Sequence, residues 1–224
     1  MGILNIRNLT FKDKDNTIVD NVSLIIERGE CISIVGESGS GKSTILRLCA
    51  DLISPSAGSI EYNNKNYLEY NPVDLRRSIS YCTQTPYLFG NDVYENLCFP
   101  FKIRNKEIDN NRIYKLLIDF SLDKSYLDKD INLLSGGEKQ RIALIRNLIF
   151  TPEILLLDEV TSALDSNNTM IVENYIKFLN KEGVTVIWVT HDEEQSKRIF
   201  NRKIYIKNGK IEDMEVIERW VQKL

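Results

Sequence analysis

Apolar and polar positions alternate from Ile3 to Phe11, which predicts a strand exposed on one face; residues 13–16 then read as a turn and Val22 to Ile26 as a second strand. Cys31 to Val35 is continuously apolar, the pattern of a strand buried on both faces, and it runs straight into a glycine-rich segment. From Lys42 to Leu52 the period changes: Ile45, Leu46, Cys49 and Leu52 recur at helical spacing. Gly58 to Asn63 reads as another short strand and the polar run at residues 62–71 as a loop. From about Leu88 to Leu133 the chain turns polar and asparagine-rich, with Ile113, Leu116, Leu117 and Phe120 at helical spacing. This marks an inserted helical subdomain, approximately residues 88–150 once the glycine-rich helix start at 134–141 is included. Strand signals return at Ile154 to Leu157, Val184 to Val189 and Lys203 to Ile206, and a short helix is expected from Glu215 to Leu224. Strand and helix alternate through the last third, which predicts an α/β fold with a parallel sheet covered on both faces.

Composition narrows this picture without redirecting it. The 224 residues carry 42% apolar and 27% charged residues, ordinary for a globular α/β domain. A net charge of −3 gives no broad attraction to nucleic acid. The four cysteines show no C-x-x-C spacing and read as small buried hydrophobes. No secretory leader is read at the start, and the longest apolar runs are of strand length, so a cytoplasmic chain is expected.

Residues 36–43, GESGSGKS, fit G-x-x-x-x-G-K-[ST] between a strand and a helix. Gly36, Gly39 and Gly41 allow a tight loop whose N–H groups face phosphate oxygens. Gly36, Glu37, Ser38, Gly39, Ser40, Gly41, Lys42, Ser43 and the following Thr44 form the expected ATP-binding segment. Lys42 would neutralise the β- and γ-phosphates and Ser43 would hold Mg²⁺. A dinucleotide loop built on the embedded G-S-G would not need the Lys-Ser pair. Glu37, a negative charge at the rim of an anion site, is expected to face solvent.

ILLLDE, residues 154–159, is an apolar strand ending in two acids. Beside a phosphate loop, Asp158 would hold Mg²⁺ through water and Glu159 would orient or deprotonate the attacking water; acids here could otherwise cap the next turn. His191, the only histidine, follows the next apolar strand and would contact the γ-phosphate as the partner of Glu159. A lone histidine at a strand end is otherwise a surface or core residue. Gln84, in SYCTQTP after a further strand, could reach Mg²⁺ or the water without adding charge, or be solvated.

LSGGEKQR, residues 134–141, opens a helix with the capping-box pattern of Ser135 and Glu138, and Ile142, Ile145, Leu148 and Ile149 form its apolar stripe. A well-capped core helix accounts for that much. It does not account for Gly136 and Gly137, which cost helix stability unless something approaches the backbone closely. The exposed N–H groups suit an anion. One phosphate loop is already present, so that anion would belong to a second copy.

With these motifs together the chain resembles the ATP-binding subunits of the ATP-binding-cassette (ABC) transporters over nearly its whole length. The resemblance implies a P-loop ATPase core with an N-terminal antiparallel β subdomain and an inserted helical subdomain, all one ATP-binding domain over residues 1–224. It identifies Gln84 with the glutamine loop, residues 134–138 with the signature, SALD at 162–165 with the D-loop and His191 with the switch histidine. It also implies ATP and Mg²⁺ as cofactors and a head-to-tail homodimer, each ATP lying between one copy's loop and the other's Ser135, Gly136 and Gly137. A separate integral membrane permease would hold the dimer peripherally on the inner face of the cell membrane. The family stacks adenine on an aromatic residue after the first strand, and Phe11 is the one nearby candidate; it could equally be a core residue. Residues 84–105, together with LIRNLIF at 144–150, resemble the ATP-binding subunits of small iron-export systems, and Asn147 stands where most of the family has alanine. The resemblance therefore implies an exporter, with iron or another metal as cargo and residues 87–97 at the permease contact. No regulatory domain of the kind several importers carry is expected. The alternatives are a soluble ABC ATPase acting on a cytosolic assembly scaffold, or a nucleotide-binding module without catalysis; the full set of hydrolytic groups weighs against the latter.

Overall fold

A computed structural model describes residues 2–217, apart from the side chains of Glu193 and Lys197. In chain order the elements are β1 (Gly2–Asp13), β2 (Asn16–Glu27), β3 (Cys31–Val35), α1 (Lys42–Cys49), β4 (Ala57–Tyr62), β5 (Lys65–Asn66), α2 (Pro72–Ser78), β6 (Ile79–Cys82), α3 (Val93–Lys102) and α4 (Asn110–Asp119). They continue with α5 (Gly136–Leu148), β7 (Ile154–Asp158), α6 (Ser166–Lys181), β8 (Thr185–Val189), α7 (Glu193–Ile199), β9 (Arg202–Lys207) and β10 (Lys210–Val216). The described residues divide into two compact units: residues 2–81, 153–159 and 180–217 form one, residues 82–152 and 160–179 the other.

The first unit carries two sheets. One is antiparallel, in the order β2-β1-β4-β5. The other runs β10-β9-β3-β8-β7-β6, with β3, β7, β8 and β9 paired in parallel and β10 antiparallel at its edge. The α/β class and the N-terminal antiparallel sheet are as expected. The continuous apolar strands follow from burial on both faces: every residue of β7 and β8 is buried, as is β3 up to Ile34. One core joins both sheets through Leu4, Ile6, Leu9, Ile32, Leu46, Ile60, Ile187 and Ile204. In the second unit, α3, α4 and α5 bury Leu97, Phe101, Ile113, Leu116, Ile142 and Leu148, and Phe120 packs on Tyr175 of α6.

Several expectations are corrected. The helix after the phosphate loop stops at Cys49, because Asp51 adopts a left-handed backbone (φ 54°); Leu52 lies beyond it, half exposed. The second strand begins at Asn16, and the fourth spans 57–62. Residues 62–71 are not a loop. Asn63 and Asn64 both take positive φ and close a two-residue hairpin between β4 and β5; a 3-10 turn at Tyr67–Glu69, capped by Asn66, then leads into α2. Asparagine tolerates this conformation, so a polar run can hide a tight turn. At the C-terminal end, Glu215 and Val216 belong to β10, opposite Lys203 and Arg202 of β9, rather than to a helix. The rest of that expected helix, residues 218–224, lies outside the described residues.

Candidate functional site

In the first unit β3 delivers the chain into the glycine loop. Gly36 has φ +148°, and a Cβ there would stand 2.1 Å from the Ile206 carbonyl oxygen on β9. Gly41 has φ +103°, and a Cβ would stand 2.6 Å from the Ile18 carbonyl oxygen on β2. The backbone thus passes where no side chain fits, wedged between strands of both sheets. Gly39 (φ +77°) faces open space, so its backbone conformation alone calls for glycine. The β9–β10 turn fastens the loop from outside: Gly209 N–H donates to the Ser40 carbonyl (3.0 Å), and the Asp20 N–H donates to the Gly209 carbonyl (2.9 Å).

Gly41 caps α1 in a left-handed conformation, without a side-chain hydrogen bond to the first turn. The helix start therefore offers backbone N–H groups that no side chain of its cap occupies, the arrangement an anion needs. Glu37, Ser38 and Gly39 are exposed, Ser40 is buried and Thr44 half-buried. Lys42 Nζ donates to the carbonyls of Gly36 (2.9 Å) and Glu37 (2.6 Å). Burial pulls the Lys42 ammonium below its ordinary pKa, opposed by the charges of Glu159 and Asp158.

The ends of β7 and β8 supply the acids and the histidine. Ser43 Oγ donates to Asp158 Oδ1 at 2.9 Å, and Asp158 is 3% exposed. One residue on, Glu159 takes a left-handed backbone (φ 49°), its N–H bonded to the Val189 carbonyl of β8 (3.0 Å). That bend brings its Oε1 to 2.8 Å from His191 Nε2. Thr190 Oγ1 accepts from the Asp192 N–H (3.1 Å), and Asp192 caps α7, which fixes the segment carrying His191. Phe11 lies opposite Val19 across the β1–β2 pair, partly buried against the core, one residue from the Ile18 carbonyl that backs Gly41.

Ser43 and Asp158 are hard oxygen donors 2.9 Å apart, and among the described residues no group of three or more His, Cys, Asp or Glu could hold a metal on its own. That donor set fits Mg²⁺, which takes one or two carboxylates and completes its shell with phosphate oxygens and water.

Tyr81 escapes a sequence reading. On β6, its hydroxyl donates to Asp158 Oδ2 at 2.8 Å, and the nearby Arg47 side chain of α1 favours loss of its proton. Burial pushes that hydroxyl up to about 12. The only signal was a tyrosine on the strand that leads to Gln84, 77 positions from its partner.

The second unit holds Gln84, exposed on the segment after β6, and the helix start at Ser135. The capping box forms: Glu138 N–H donates to Ser135 Oγ (3.3 Å) and Ser135 N–H to Glu138 Oε2 (2.7 Å). The Tyr126 hydroxyl (2.6 Å) and that Ser135 N–H hold the Glu138 carboxyl down at about 2. An added Cβ on Gly136 would meet nothing within 4 Å, and on Gly137 the end of Leu164 at 3.2 Å and the Ala163 carbonyl oxygen at 4.0 Å. Packing within the chain does not demand glycine at 136. Asp165 accepts from the Asn168 N–H (2.8 Å), tying residues 162–165 to the start of α6.

The ABC transporter family matches residues 19–162, more than half of the chain. Over 194 residues the chain is 44% identical to the probable iron export ATP-binding protein FetA of Escherichia coli (strain K12), covering 86% of each. Over 209 residues it is 37% identical to the ergothioneine transport ATP-binding protein EgtV of Helicobacter pylori (strain G27), covering 92% of this chain and 97% of that one. Its fold superposes with a TM-score of 0.88 on the ATP-binding cassette MJ0796, solved as a dimer in a post-hydrolysis state with ADP and Pi, at 31% identity over 97% of this chain and 100% of that one.

Proposed function

Because the chain belongs to the ABC transporter family as one of its ATP-hydrolysing, ATP-binding subunits, we propose that two copies meet head to tail, each completing the ATP site of the other. The observation that carries this reading is Gly136: an exposed helix-start glycine that its own chain leaves in open space, beside N–H groups suited to an anion. In the proposed site the loop from Gly36 to Thr44 wraps the phosphates of ATP, and Lys42 moves from the loop carbonyls to the β- and γ-phosphates. Ser43 and Asp158 would hold Mg²⁺. When bound, the ion supplies charge neutralisation across the phosphate oxygens. Glu159, aligned by its bond to His191, orients the water and accepts its proton; His191 also reaches the γ-phosphate. Phe11 stacks on adenine. The partner's Ser135, Gly136 and Gly137 close over the γ-phosphate from the other side.

Residues 1–224 act as one cassette in this reading, with the stretch near 88–150 as its helical part. ATP closure and hydrolysis drive a separate membrane permease, which holds the dimer on the inner face of the cell membrane. No helix among the described residues is long and apolar enough to cross a membrane. Export of iron or another metal is supported by the 44% identity to FetA. Replacing Glu159→Gln tests the chemistry: turnover should fall by about 10²–10⁴ while an ATP-bound dimer accumulates on gel filtration. Unchanged turnover would remove Glu159 from this role. For the cargo, deletion of the gene should raise metal content and sensitivity to iron; insensitivity to every metal tried would end the metal-export reading.

A further inference from the structure

Asp158 is almost fully buried, and each of its oxygens accepts from a different hydroxyl: Oδ1 from Ser43 at 2.9 Å and Oδ2 from Tyr81 at 2.8 Å. A carboxylate with one pinned oxygen can still swing about its terminal torsion, whereas two donors on opposite oxygens fix its plane. The two donors come from different places. Ser43 is in the first turn of α1, and Tyr81 reaches across from β6, the strand next to β7 in the sheet. Arg47, on the exposed side of α1 and one turn beyond Ser43, is a cation near the same phenol and favours its giving up the proton. The bonded set is Tyr81–Asp158–Ser43, with a solvent-exposed cation, Arg47, near the hydroxyl that donates to the buried acid and polarising it. A phenylalanine would fill the same space but leave Asp158 Oδ2 without this donor, at a site where an unmet carboxylate oxygen is costly.

We infer that Tyr81 is a positioning residue for the Ser43–Asp158 pair, holding Asp158 so that Oδ1 stays turned toward Ser43 for a divalent cation bound with the nucleotide, with Arg47 as the outer support. The inference rests on the reading of Ser43 and Asp158 as the Mg²⁺ holders. It is tested on the full chain with ADP by titrating Mn²⁺ and following free Mn²⁺ by electron paramagnetic resonance, beside ADP affinity in EDTA. Tyr81→Phe should weaken Mn²⁺ about tenfold and leave metal-free ADP affinity within about twofold. Arg47→Met, a change at an exposed side chain, should weaken Mn²⁺ by a smaller factor and add nothing in the Tyr81→Phe background, since both act through one hydroxyl. Mn²⁺ affinity unchanged by Tyr81→Phe, or additive effects of the two changes, would overturn the inference. Equal loss of metal-free ADP affinity would do the same by making Tyr81 a packing residue only. Asp158→Asn separates the levels: if it too keeps Mn²⁺ affinity, the metal-site reading fails; if it alone loses it, only the role of Tyr81 fails.

Discussion

Replacing Gly136→Ala should make the isolated chain slightly more stable and the ATPase much worse. Gly136 is the first residue of α5, exposed, without positive φ, and an added Cβ meets no atom within 4 Å. The substitution therefore carries neither strain nor clash. Alanine in place of glycine gains roughly 0.5–1 kcal/mol in a helix interior; at the first position the lower figure applies, about 0.5 kcal/mol. For a chain of this size that raises Tm by about 1–2 °C. If a second copy brings its ATP against this backbone, the same methyl occupies space the γ-phosphate needs. An interface that loses even about 1.4 kcal/mol of transition-state stabilisation loses tenfold in rate. Differential scanning fluorimetry of the nucleotide-free protein, a coupled ATPase assay and gel filtration of the ATP-bound Glu159→Gln dimer read the three quantities. Unimpaired ATPase and dimerisation with raised stability would refute the argument that glycine is kept for an approaching nucleotide. A drop of several degrees in Tm would refute the claim that the chain itself leaves that space open.

Gly36→Ala should behave in the opposite way. Its φ of +148° and the Ile206 oxygen 2.1 Å from the new Cβ should cost about 3 kcal/mol or more, against about 1–2 kcal/mol for Gly39→Ala, which has only its φ to overcome; equal urea midpoints for the two would contradict the packing. Tyr126→Phe removes the main cause holding the Glu138 carboxyl at about 2, below its ordinary 4.5. A depressed carboxyl contributes stability that is present above pH 4.5 and is lost as pH falls toward 2. The variant should be less stable at neutral pH by roughly 1 kcal/mol, with the gap closing in urea melts below pH 4.5; a gap that stays constant with pH would show that the hydroxyl acts by packing alone.

What was legible in the chain is what local pattern encodes. β3, β7 and β8 announce themselves as unbroken apolar runs, because both faces of each are covered. The phosphate loop is legible from spacing, since its glycines, lysine and serine all fall within residues 36–43. The same locality hid other features. The hairpin at Asn63 and Asn64 depends on asparagine entering a conformation that a polarity pattern does not record. Glu215 and Val216, expected to open a helix, end β10 instead, which shows as a strand only when β9 is set beside it and Lys207 meets Glu212. Gly36 reads as a loop glycine, yet the carbonyl that forbids a side chain there is that of Ile206, far along the chain. The Tyr81–Asp158 bond is likewise long-range, joining two strands adjacent in the sheet but 77 positions apart. Glu159 was legible as an acid at a strand end, but the left-handed bend that sets it against His191 was not.

The central claim is that each ATP is hydrolysed between two copies, and mixing two defective chains tests it most directly. Ser135→Arg keeps the phosphate loop and spoils the helix start; Lys42→Ala does the reverse. Each alone should be inactive, because both sites of either homodimer carry one defect. In an equal mixture half of the dimers are mixed, and each has one intact site, so roughly a quarter of the parent ATPase rate should return for a head-to-tail pair. A mixture as inactive as its components, or Ser135→Arg fully active by itself, would contradict a site shared between two copies.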